Sequence, residues 1–168
     1  AADVDLPGYR PAGPVDAETA ARAAALINAA QRPIVLAGQG VLMSGAMQEL
    51  RAFVETTEAP VALTLLGKGG FPESHPLALG MMGMHGEAYV NQAIQAADLV
   101  LAFGMRFDDR VTGKLDRYAP DAKRIHIDAD AAELNKIVRA DVPIHGDLRQ
   151  ALTQLLPALT RTTHPAWI

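Results

Sequence analysis

Apolar and polar positions along this chain switch repeatedly between the helical period and unbroken apolar runs, and the switches mark its elements. Asp16 stands where a helix N-cap belongs, and Ala20, Ala23, Ala24 and Ile27 then share one face, which predicts a helix over 17–30. Pro33 to Ala37 is apolar throughout and ends in Gly38-Gln39-Gly40. Met47, Leu50, Phe53 and Val54 follow at helical spacing, so a strand feeds a second helix. Val61 to Leu65 reads as another buried strand, and the stretch after it, LGKGGFPESHPLALGMMGMHG, is too rich in glycine and proline for regular structure. Val90, Ala93, Ile94 and Ala97 predict a helix over 87–97, and Leu99 to Phe103 a strand without alternation. Arg124 to Asp128 reads as a strand, Ala131 to Val138 as a short helix, Val142 to Ile144 as a last brief strand and Leu148 to Leu159 as a closing helix.

Strands that are apolar on both faces and alternate with helices imply a sheet covered on both sides. The expected fold class is therefore α/β: a Rossmann-like, doubly wound, mostly parallel sheet with helices on both faces. Residues 1–15, with Pro7, Pro11 and Pro14, follow neither period and read as an interdomain linker. Residues 16–159 form the domain, and 160–168 read as a C-terminal linker or a segment that packs on a neighbour.

Composition narrows the class. With 168 residues, 49% of them hydrophobic, the chain can bury a core without staples, and no run of eighteen apolar residues suggests a membrane span. Cysteine is absent, which removes disulfides, thiolate nucleophiles and cysteine-ligated zinc and fits a cytoplasmic location. A net charge of −4 without a basic stripe argues against nucleic acid as a partner.

Ligands of open α/β sheets sit beyond the carboxyl ends of the strands, so the loops there hold the candidates. Gly38, Gln39 and Gly40 could let a phosphate approach the backbone, although Met43 stands where a third glycine of G-x-G-x-x-G belongs. A tight turn that simply needs glycine is the other reading. Met84, His85 and Gly86 precede the third helix and could border an anion or a flat ring. Gly104, Arg106, Asp108 and Arg110 follow the most apolar strand. The arginines suit bidentate phosphate recognition, and Asp108 or Asp109 could hold an arginine or accept from a hydroxyl. Asp128 ends a strand where it could bind a sugar hydroxyl, Asp130 is an N-cap candidate, and Asp147 caps the closing helix and could face a nucleotide. No carboxylate and histidine spacing supports a metal site. No G-x-S-x-G elbow activates a serine, and no catalytic set emerges.

GMHGEAYVNQAIQAADLVLAFGMRFDDRVTGK, from Gly83 to Lys114, together with IHIDAD and the following AELNK, resembles the central domain of acetohydroxyacid synthase, also called acetolactate synthase, a thiamine-diphosphate-dependent enzyme. The resemblance runs from about Arg32 to Leu156. It implies that the domain carries FAD across the strand ends. Gly38, Gln39 and Gly40 would lie at the phosphates, and Met84, His85 and Gly86 near the flavin and ribityl. Gly104, Arg106, Asp108 and Arg110 would line the next loop, and Asp128 and Asp147 would sit toward the adenosine. It further implies that thiamine diphosphate and Mg²⁺ are bound by flanking N- and C-terminal domains of the parent, a homo-oligomer with or without a regulatory subunit. That parent would condense pyruvate with a second 2-keto acid in branched-chain amino-acid synthesis, and this chain alone would not catalyse the reaction. The competing expectation is a nucleotide-free structural domain of another thiamine-dependent carboligase, decarboxylase or oxidase.

Overall fold

The computed structural model describes residues 13–168, so the first twelve residues of the expected N-terminal linker lie outside the described part. Six strands form one all-parallel sheet: β1 (Pro33–Ala37), β2 (Val61–Leu63), β3 (Ala78–Met81), β4 (Leu99–Phe103), β5 (Lys123–Asp128) and β6 (Val142–His145), in the order β3-β2-β1-β4-β5-β6. β1 and β4 pair over their full length, from Pro33 opposite Leu99 to Ala37 opposite Phe103. The chain leaves β1 toward one edge and returns through β4 on the other side. The reversal between these two strands opens a crevice at their carboxyl ends.

Alternation within the buried strands decides which helix packs where. Val35, Ala37, Leu101, Phe103, Ile125 and Ile127 face α1 (Ala17–Ala29), α3 (Met47–Thr57) and α6 (Leu148–Leu155), where Phe53 meets Phe103 edge to face at 5.3 Å. Ile34, Leu36, Val100 and Ala102 face α4 (Ala88–Ala96) and the segment holding Met105, Phe107 and Tyr118. The sheet is thus covered on both faces. α1 begins as expected, the Asp16 carboxylate accepting from the Thr19 N–H at 2.9 Å. The second helical region is split into α2 (Gln39–Met43) and α3, joined through Gly45 in the left-handed region, and Met47 turns outward.

Four expectations are corrected. The strand expected to reach Leu65 stops at Leu63. Thr64 then turns the chain into a 3₁₀ helix, its hydroxyl oxygen accepting from the Gly67 N–H, and Leu65 and Leu66 stand in solvent. The stretch expected to be irregular contains β3, a half-buried edge strand interrupted by Gly80 at φ 97°. Bonds from Val61 N–H to Leu77 O and from Met82 N–H to Leu63 O hold that strand in place. The helix expected over 131–138 is a series of turns. Asp130 closes one by accepting from the Ala132 N–H, Asn135 takes φ 60°, and its side-chain oxygen accepts from the Ala140 N–H. The closing helix ends its α geometry at Leu155 and finishes as a 3₁₀ turn around Pro157.

The C-terminal segment lies back against this domain, at the amino ends of the strands and so opposite the crevice. The Thr162 N–H donates to Thr56 O, the His164 N–H to the Glu58 carboxylate, and the Trp167 indole N–H to Pro33 O at 2.9 Å. Trp167→Phe keeps an aromatic ring, though a smaller one, and removes that last donor. We expect it to cost about 1 kcal/mol in urea denaturation.

Candidate functional site

The strand ends at the reversal are brought together by glycines. The Gly38 N–H donates to Phe103 O, and the Gly40 N–H to Gly104 O at 2.9 Å. A β-carbon on Gly38 would stand 2.3 Å from Gly104 O, and one on Gly104, which has φ 58°, would stand 2.5 Å from Gly40 Cα. The first turn thus spends both glycine N–H groups on its neighbour strand, which supports the tight-turn reading of these glycines.

Above this junction lies a cleft of about 1010 Å³, at the upper end of the range for cofactor sites. Every candidate site residue borders it except Gly38 and Gly86. Gly38 sits beneath, pressed on Met105, while Gly86 has no room for a side chain because its Cα faces Met81 O. Gln39, Gly40 and Gly104 form the floor near the reversal. Met84 and His85 form one lip, the α5 turn (Asp109–Thr112) with its preceding loop another, and Asp128 and Asp147 the far end.

The loop before α4 and the loop after β4 are bonded to each other. The Met84 N–H donates to Arg110 O at 2.7 Å, and the Arg110 guanidinium touches Met84 Sδ at 3.5 Å. Asp108 caps α5 by accepting from the Arg110 N–H and pairs with Arg106 at 3.5 Å. The Arg106 side chain remains 64% exposed, so its guanidinium is available to an anion. Asp147 caps α6 by accepting from the Gln150 N–H. Asp128 accepts from the Asp130 N–H at 2.8 Å, and burial raises its carboxyl above the usual range.

The cleft also uses residues that sequence reasoning left out. Met43, Leu65 and Leu66 form an exposed apolar rim at 80%, 70% and 61% accessibility, and Thr64, Met105 and Glu133 complete the wall. A signal for the rim existed in Leu65-Leu66, an apolar pair followed at once by Gly-Lys-Gly-Gly, but its outward turn depends on the cap at Thr64. His126, beneath the wall, was legible only as a polar residue inside the apolar run Ile125-His126-Ile127. Among the described residues, no three His, Asp or Glu side chains are grouped to hold a metal ion, and no helix is long and apolar enough to cross a membrane.

Residues 20–155 match the family described as thiamine pyrophosphate enzyme, central domain. The chain is 52% identical to a probable acetolactate synthase large subunit of Methanocaldococcus jannaschii over 94% of its own length and 27% of that protein's. It is 51% identical to the acetolactate synthase large subunit of Corynebacterium glutamicum, covering 91% of this chain and 24% of the relative. With an acetolactate synthase of Mycobacterium avium it shares 45% identity over 96% of this chain and 26% of the relative. The chain thus spans about a quarter of the length of these relatives. A six-stranded parallel sheet with its crevice at the β1–β4 reversal agrees with the sequence match, and the chain belongs to the thiamine pyrophosphate enzyme family, as its central domain.

Proposed function

We propose that this chain is the FAD-binding central domain of an acetolactate synthase large subunit. The parent condenses pyruvate with a second 2-keto acid in branched-chain amino-acid synthesis. The relatives' names support the parent's identity. The observation that carries the cofactor reading is the graded lining of the cleft: an apolar rim of Met43, Leu65, Leu66 and Met84, then Arg106 and Arg110, then Asp128 and Asp147. An apolar rim suits a flat ring, arginines suit a diphosphate, and carboxylates accept from sugar hydroxyls. These residues fit FAD, and the diphosphate falls to Arg106 and Arg110 because the N–H groups of Gly38 and Gly40 are already engaged. Bound FAD supplies an isoalloxazine whose redox capacity the condensation does not need. Thiamine diphosphate and Mg²⁺ belong to flanking domains of a cytoplasmic homo-oligomer, with or without a regulatory subunit.

Arg106→Ala in the full-length enzyme is expected to weaken FAD about tenfold, the scale of one charge-assisted bond. Flavin fluorescence quenching reads the affinity. A nucleotide-free structural domain is the second reading, favoured by the closed glycine turn. It requires the variant and the wild type to carry the same flavin content, with none bound specifically in either.

A further inference from the structure

Strand β5 places a fully buried histidine between two isoleucines. Ile125 and Ile127 pack under α6, so His126 points to the opposite face, where its ring meets Phe107 edge-on at 5.1 Å. Nε2 lies 2.8 Å from Met105 O. A carbonyl only accepts, so Nε2 carries the hydrogen and Nδ1 is an acceptor, buried and without a partner among the described residues. Burial holds this imidazole below its ordinary pKa, so the ring is neutral at pH 7. An apolar side chain would suit that pocket without leaving a nitrogen unpaired, and what the histidine adds is one N–H.

The recipient of that N–H is informative. Among the described residues, the bond from His126 is the only hydrogen bond to the backbone of residues 105–107, which join left-handed Gly104 to the Asp108 cap. Met105 and Phe107 are buried and anchor the segment by packing, whereas Arg106 between them points to solvent at the cleft. Asp128 Oδ2 lies 3.8 Å from the same His126 nitrogen, so one ring sits under the loop wall and the strand-end wall together.

We propose that His126 is a positioning residue for the cleft: its Nε2–H tethers the Met105 carbonyl and thereby sets where the Gly104–Asp108 segment presents Arg106. The consequence for ligand affinity rests on the FAD reading above; the tether does not. Two substitutions separate the bond from the bulk, His126→Leu filling the pocket without a donor and His126→Gln restoring an N–H at similar reach. Ile125→Val, on the other face of the strand, controls for general loosening of the core.

The full-length enzyme, freed of flavin, is digested briefly with trypsin, and cleavage after Arg106 is followed by mass spectrometry. FAD affinity is then measured on the same proteins. His126→Leu is expected to raise the cleavage rate about tenfold and to weaken FAD about tenfold, while His126→Gln stays within about threefold of wild type in both. Wild-type cleavage in His126→Leu, or an equal rise in Ile125→Val, overturns the tether. Faster cleavage in His126→Leu alone, in an enzyme whose wild type takes up no FAD, upholds the tether and removes the flavin reading instead.

Discussion

Gly104→Ala is expected to lower the stability of the chain by about 4 kcal/mol in urea denaturation, near the upper end for a single substitution. Two costs coincide at this residue. Its φ of 58° is left-handed, which by itself costs a residue with a β-carbon about 1–2 kcal/mol. The new methyl would also stand 2.5 Å from Gly40 Cα and 3.0 Å from Gly40 C, and these are backbone atoms that yield only if α2 moves away from the end of β4. That movement breaks the bond from the Gly40 N–H to Gly104 O and opens the floor of the cleft. Gly45→Ala isolates the first cost. Gly45 has φ 66° with nothing within 4 Å of the added carbon, so its replacement is expected to cost only about 1 kcal/mol. Equal losses for the two variants would show that the close approach at the strand reversal contributes nothing.

The second large effect is a loss of stability in mild acid. The folded chain keeps the buried His126 neutral, its pKa held below the ordinary 6.5, whereas the unfolded chain takes up that proton freely. Stability from this group is therefore complete above pH 6.5 and falls as the pH drops from there toward the folded value. The slope approaches about 1.4 kcal/mol per pH unit, because one more proton binds the unfolded state. Asp128 acts in the opposite sense. Burial raises its carboxyl, so its penalty is present above its folded pKa and is relieved as the pH falls through that raised value toward the ordinary one. Urea midpoints between pH 7.5 and pH 5 should show the histidine slope in the wild type and a shallower one in His126→Leu. Parallel curves would mean that His126 protonates as easily folded as unfolded.

Legibility in the sequence followed the range of the forces involved. α1, β1 and β4 were readable because a side-chain cap at Asp16 and runs of five consecutive buried residues leave a short segment one satisfactory state. β3 was not, since its four residues are half-buried, include Gly80, and form a strand only where Val61 and Leu63 of β2 offer partners. The helix expected over 131–138 failed for the converse reason. Its apolar residues Leu134, Ile137 and Val138 suggest a face, but Ile137 is exposed and the side chains of Asp130 and Asn135 take over the local backbone bonds.

The cleft shows the same division. Arg106, Asp108, Arg110 and Asp128 could be named in advance because the first three lie in the loop and turn that follow an apolar strand and Asp128 ends one, and strand ends converge in this architecture. That Gly38 and Gly86 lie beneath the surface, that Leu65 and Leu66 face outward, and that His126 supports the loop from below could not be read from spacing. Short-range pattern determined the element types, the parallel α/β class and the loops that meet at the crevice, because capping, burial of whole strands and turn chemistry act within a few residues. Only the tertiary structure decided which backbone groups remain free at that crevice and which side chain holds Met105, because an N–H or a carbonyl becomes occupied through partners 20 to 70 positions away in the chain.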